Sequence, residues 1–156
     1  MVLSDVLTED NIILDLKARE KAGLLDEMAR GVAPKVFGLD KGRLLQAVLN
    51  REKLGTTGIG HGVAIPHGKI KGLAEIKVFF GRSLSGVDFN SMDGMPVYLF
   101  FMIIAPQSAT AAHLKILACI SQMLKNQECR TRLMHAENPS EVHRIIVEAD
   151  RRNVGA

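Results

Sequence analysis

The sequence predicts an α/β fold, read as one domain over residues 1–156 in which helices pack on both faces of a β-sheet. Three observations point there. The 156 residues suffice for a core of their own; a chain of this size buries about 68–70% of the surface it exposes when unfolded, so no disulfide or metal staple is required. Segments with the apolar period of a strand interleave with segments that have the period of a helix. Nine consecutive apolar residues, Val97 to Ala105, are closed by Pro106. That run is too short for a membrane span, which takes about 20, and reads as a central strand.

Each element follows in order. Ile12, Leu14 and Leu16 alternate with other residues as in a strand. Leu24, Leu25, Met28, Ala29 and Val32 form the apolar face of a helix that Pro34 ends. Asp40 can cap a second helix, with Leu44, Leu45, Val48 and Leu49 on its buried face and Arg51 delivered to its C-terminal end. Val63 to Ile65 reads as a short buried strand, which Pro66 stops because it has no N–H for the ladder. Ile76 to Phe80 is a short strand, and Met92-Asp93-Gly94 supplies a turn before the central strand. Ser108 or Thr110 can cap the next helix, whose stripe is His113, Leu117, Ile120 and Leu124. Asn138-Pro139-Ser140-Glu141 has a cap residue, proline at the first helical position and a glutamate three after the cap; it starts a last helix through Val142, Ile145, Ile146 and Ala149.

The stretch Arg51 to Lys69, REKLGTTGIGHGVAIPHGK, carries the chemistry. It joins a cation, a glycine-rich loop and two histidines. Glycines allow positive φ and close approach of the backbone, so Gly58, Gly60 and Gly62 can aim N–H groups at an anion, with Thr56 and Thr57 adding hydroxyls. His67 then lies at the end of a rigid strand, at the edge of the loop. Glycine clusters ordinarily mean turns, so the spacing has to decide. Ile70 follows Gly68-Lys69 where a P-loop needs Ser or Thr, the glycines lack the dinucleotide fingerprint, and His61 and His67 fit no zinc pattern. No metal or other cofactor is called for.

This segment resembles the active-site signature of the mannitol/fructose-type enzyme IIA domains of the bacterial phosphoenolpyruvate:sugar phosphotransferase system, and the rest of the chain looks like the nitrogen-regulatory branch. The opening LSDVLTEDNIILDLKAREKAGLLDEMA and the later APQSATAAHLKIL are similar to further parts of that family. The resemblance implies a mixed sheet, a phosphoryl group accepted by the histidine of A-I-P-H-G, here His67, and site roles for Arg51 and His113. His61 departs from the family pattern, in which a small polar residue is usual at that place; it is read either as a second donor to the phosphate or as a second acceptor. A histidine on an apolar helical stripe, like His113, is ordinarily structural, but its place near a helix N-terminus favours an anion contact. His135 and His143 read as solvated surface.

The implied reaction needs little covalent work from the protein. Positioning and charge neutralisation supply most of the rate. Neutral His67 attacks, Arg51 holds two oxygens through its fork, His113 donates to a third, and Thr57 with the glycine-loop amides completes the cradle. Implied partners are an HPr-like phosphocarrier as donor and, downstream, a regulatory target protein; a fructose- or mannitol-type component donating to a separate IIB is the alternative. An anion-binding interaction module without turnover is a third reading. Ile59 and Ile70 are candidates for an apolar docking ring around the histidine. A net charge of +3, one Tyr and no Trp do not argue for nucleic acid. The N-terminus lacks the pattern of a signal peptide, and Cys119 and Cys129 have no CxxC spacing, so the chain is expected in the cytoplasm with reduced thiols.

Overall fold

The computed structural model describes the backbone of residues 2–155 and the side chains of residues 2–152. Its strands are β1 (Ile12–Ile13), β2 (Gly58–Gly60), β3 (Val63–Ala64), β4 (His67–Ile70), β5 (Lys77–Val87) and β6 (Val97–Pro106). Its α-helices are α1 (Leu3–Val6), α2 (Lys21–Val32), α3 (Lys41–Glu52), α4 (Thr110–Leu124), α5 (Gln127–His135) and α6 (Pro139–Gly155). The sheet runs β1-β5-β6-β3-β2, with β4 also beside β6. Pairing is mixed: β1 is parallel to β5, β5 antiparallel to β6, β3 and β4 parallel to β6, and β2 antiparallel to β3.

Strand β6 is central, as its unbroken apolar run predicts, and its side chains alternate between two cores. Leu99, Phe101, Ile103 and Ala105 pack toward α1, α4, α5 and α6. Phe100, Met102 and Ile104 pack toward α2 and α3. Phe101 meets Phe80 edge-to-face at 5.1 Å, and Phe100 meets Phe89 at 5.5 Å. Truncating one of these rings to Ala costs about 3–5 kcal/mol, the transfer energy plus the cavity left behind. Helices therefore cover both faces, and the α/β, mixed-sheet expectation holds.

Several elements differ in extent from the expectation. The first strand pairs only at Ile12 and Ile13, while Leu16 stays tied to the sheet by donating to the Arg82 carbonyl at 2.9 Å. Strand β5 runs on through polar Arg82 and Ser83 to Val87. Arg82 is buried there because its Nη1 donates to the carbonyls of Leu133, Met134 and Ala136 at the end of α5. That cap satisfies Nη1 and offsets much of the cost of burial, although Nε is buried without a partner, so polarity misled the pattern. Helix α5 was not foreseen because it buries only Cys129 and Leu133, four residues apart. The cap of α4 also differs: Ala109 takes that position and no side chain caps it. The caps of α3 and α6 follow the sequence, with Asp40 accepting from the Arg43 amide at 3.0 Å and Asn138 from the Glu141 amide at 2.8 Å.

Candidate functional site

Strand β3 ends at Ala64, and after Ile65 and Pro66 the chain resumes pairing with the same neighbour as β4, where His67 is opposite Ile103. His67 is therefore the first residue of a strand rather than a residue beyond one. Its Nδ1 lies 2.8 Å from the Ile65 carbonyl oxygen. A carbonyl only accepts, so Nδ1 carries the proton and Nε2 the lone pair. The end of α3 supplies the other contact: Arg51 Nε donates to His67 Nε2 at 3.1 Å, and Arg51 Nη1 donates to the Gly55 carbonyl at 2.9 Å.

Close approach of α3 to β4 makes this reach possible. A Cβ on Gly68 would lie 3.1 Å from Ala47 Cβ and 3.2 Å from its backbone carbon, so any other residue there would have to push the helix and the strand apart by a few tenths of an ångström. On the opposite side, α4 brings the His113 ring edge-on to His67, with centroids 5.0 Å apart. Lys69 Nζ donates to Thr110 Oγ1 at 3.0 Å and ties β4 to the start of α4. Between these elements lies a cleft of about 270 Å³, with Ala47, Arg51, His67, Lys69, His113 and Leu114 on its walls.

Electrostatics keep both rings neutral. Burial lowers the pKa of His67, and the Arg51 charge adds to this against the bond to Ile65 and the charge of Glu52. His113 is pushed down to about 4, mainly by burial and further by His67 when that ring is protonated and by the Lys69 charge. Its Nδ1 is buried and has no hydrogen-bond partner. His113 thus lines the cleft beside His67 with one ring nitrogen buried and unsatisfied.

The glycine-rich loop is placed differently from the site histidines. Gly58, Gly60, His61 and Gly62 form the β2–β3 hairpin, which runs back along the sheet. Val63 is opposite Leu99 and His67 opposite Ile103, a separation of four residues, or about 13 Å of strand. His61 sits at the hairpin tip at φ 57°, its amide 3.3 Å from Asp93 Oδ2. It lines a separate cleft with Tyr98, Arg130 and His135. Gly58 lies against Ser91, where a Cβ would come within 2.9 Å of its Cα. Thr57 is buried, and its amide and hydroxyl both donate to Glu52. Thr56 Oγ1 accepts from the Gly58 amide at 3.1 Å.

The structure thus brings Arg51, His67 and His113 together and leaves Thr57, Gly58, Gly60, His61 and Gly62 engaged elsewhere. The Ile65 carbonyl, Glu52 and Gly68 had no distinctive sequence signal, because each acts through contacts that only folding creates. Of the other histidines, His135 is exposed and His143 half-buried. Of the proposed docking residues, Ile59 is 42% exposed but Ile70 only 4%; Ile70 belongs to the core under α3, because alternate residues of β4 face inward. Among the described residues no group of His, Cys, Asp and Glu could hold a metal ion, and no helix is long and apolar enough to cross a membrane.

The chain is similar to known proteins over most of its length. Residues 5–149 match the family model described as phosphoenolpyruvate-dependent sugar phosphotransferase system, EIIA 2. The chain is 39% identical over 97% of its length to the fructose-specific EIIABC component of Bacillus subtilis, of which it spans 24%. It is 38% identical over 94% of its length to the nitrogen regulatory protein of Bradyrhizobium diazoefficiens, covering 95% of that protein. The crystal structure of nitrogen regulatory protein IIA-Ntr from Neisseria meningitidis superposes with a TM-score of 0.86 at 32% identity, over 92% of this chain and 97% of that one.

Proposed function

Because this chain belongs to the EIIA 2 family of the phosphoenolpyruvate-dependent sugar phosphotransferase system, we propose that it is a cytoplasmic phosphohistidine carrier, one IIA unit over residues 1–156, with His67 Nε2 as acceptor. The observation that carries this is the fixed tautomer: Nδ1–H is held by the Ile65 carbonyl, so the lone pair of the ring is on Nε2, where it accepts from Arg51 Nε. In the transfer, the P–N bond of the donor's phosphohistidine breaks as the bond from phosphorus to His67 Nε2 forms. The imidazole is neutral beforehand, so no proton has to leave it. The Arg51 contact to Nε2 gives way, and the guanidinium turns to the phosphoryl oxygens while its tie to Gly55 keeps it close. His113 closes the other side of the group.

The donor is an HPr-like phosphocarrier, and the output is regulatory, through a downstream target protein that reads the phosphorylation state. Near full-length coverage of nitrogen regulatory relatives supports that branch. A sugar-transport role with transfer to a IIB protein is the second reading, favoured by the 39% identity to a fructose-specific component. Incubation with phosphoenolpyruvate, enzyme I and HPr tests the carrier reading. The expected result is an acid-labile phosphate on His67; no covalent label would leave an anion-binding interaction module instead. Onward transfer to purified fructose- or mannitol-type IIB separates the two branches.

A further inference from the structure

Glu52 ends α3 beside Arg51, and its side chain is only 4% exposed. A buried carboxylate is costly unless it is paired and hydrogen-bonded. Here Glu52 Oε1 accepts from the Thr57 amide at 3.0 Å and from the Thr57 hydroxyl, while Oε2 accepts from Lys21 Nζ at 2.9 Å. Lys21 is itself anchored on α2 with its ammonium 4.8 Å from the Phe89 ring centroid.

Two chains of bonds run from Glu52 to the imidazole, one from its carboxylate and one from its backbone carbonyl. Along the first, the Thr57 carbonyl accepts from the Ile65 amide at 3.0 Å, and the Ile65 carbonyl accepts from His67 Nδ1 at 2.8 Å. Along the second, the loop that Glu52 and Thr57 close holds Gly55, whose amide donates to the Glu52 carbonyl at 3.1 Å and whose carbonyl receives Arg51 Nη1. Arg51 then reaches His67 Nε2. Nδ1 is thus reached from the buried carboxylate through Thr57 and Ile65, and Nε2 through the loop between Glu52 and Thr57 that the same carboxylate closes.

We propose that Glu52 is a positioning residue for the acceptor histidine: by pinning Thr57 it holds His67 in the Nδ1–H tautomer and keeps the Gly55 carbonyl where it aims Arg51. Its effect on transfer rate rests on the phosphocarrier reading; its effect on the imidazole does not.

The test pairs ¹⁵N NMR of the His67 ring with the rate of phosphorylation by phospho-HPr in wild type, Glu52→Ala and Thr57→Val. Wild type should show the Nδ1–H tautomer alone. Glu52→Ala should show mixed tautomers and a transfer rate about 10- to 100-fold lower, the scale of a misplaced reacting group, with the KM for the donor little changed. A folded Glu52→Ala protein with wild-type tautomer and rate overturns the proposal. If Glu52→Ala does not fold, Thr57→Val decides, since it removes only the hydroxyl: mixed tautomers with slower transfer support the brace, and wild-type behaviour overturns it. Wild-type protein that takes no label while its tautomer still responds to Glu52→Ala refutes the carrier reading and upholds the brace. Labelling with tautomer and rate indifferent to both substitutions does the reverse.

Discussion

Arg51 Nε donates to His67 Nε2 across 3.1 Å, so the cation rests on the very lone pair that would attack phosphorus. Its second arm holds the Gly55 carbonyl, which fixes the guanidinium in place before any substrate arrives. Arg51→Ala removes a preorganised donor at a developing charge and should slow transfer by about 10²–10³, or about 2.7–4 kcal/mol. Arg51→Lys should also be slow, because an ammonium cannot keep the Gly55 tie and meet two oxygens in a plane. Single-turnover phosphorylation by phospho-HPr measures both, and wild-type rates would show that Arg51 does not meet the phosphoryl group.

His67→Ala should abolish labelling and leave the fold intact, since His67 is half-buried at the first position of β4 and makes its bonds within the site. His61→Ala should keep most of the label, because His61 lines a different cleft at the hairpin tip. Peptide mapping of the acid-labile phosphate checks both, and phosphate found on His61 would move the acceptor to that second cleft.

The pH dependence follows from two depressed imidazoles. With its pKa below 6.5, His67 is neutral at neutral pH, and transfer should fall only as acidification protonates Nε2. His113 has a folded pKa of about 4 against 6.5 unfolded, so between these values the unfolded chain binds the extra proton. Its contribution to stability is fully present above pH 6.5 and is lost as pH falls toward and through about 4. Phosphorylating His67 places negative charge beside His113 and should raise its pKa. NMR titration of the two rings, with and without the phosphoryl group, reads all three effects; an unmoved His113 would mean that the phosphoryl group points away from it.

Gly68→Ala tests how the helix and the strand are spaced. The added Cβ meets Ala47 and the Val48 amide at 3.1–3.3 Å, mostly backbone that cannot swing aside. Overpacking of this kind typically costs about 1–3 kcal/mol. Because the shift separates α3 from β4, labelling should slow along with the loss in thermal stability, and unchanged values for both would show that the contact relaxes freely.

Much of this arrangement was legible in the chain. Val97 to Ala105 identified the central strand because burial on both faces leaves no polar positions, and Asp40 located α3, hence Arg51, by a local capping bond. The resemblance in A-I-P-H-G pointed to His67. What stayed hidden depends on distant partners. Thr57 looked like a phosphate donor because its hydroxyl is generic, and only the fold shows that Glu52 occupies it. Gly58, Gly60 and Gly62 looked like an anion cradle, yet they serve a hairpin that packs against Ser91, Asp93 and Tyr98. Arg82 hid the second half of β5 because its carbonyl partners lie at the end of α5, some fifty residues away.

The docking face for the donor can be tested by charge. Leu114 is 60% exposed on the wall of the His67 cleft, and Leu54 is 84% exposed in the loop after α3, where its amide donates to the Arg51 carbonyl. Ile59 lies on β2, farther back along the sheet, and Ile70 is core. A standard interface covers about 800 Å² per partner, and its central apolar residues dominate the energy. Leu114→Glu and Leu54→Glu should therefore stay folded and raise the KM for phospho-HPr about tenfold or more, while Ile59→Glu has a smaller effect at the rim. Ile70→Glu should instead lower thermal stability strongly, since it buries a carboxylate without a partner. Folded Leu114→Glu and Leu54→Glu proteins with a wild-type KM would place the docking face elsewhere, and a stable Ile70→Glu protein would mean that β4 can turn that side chain out to solvent.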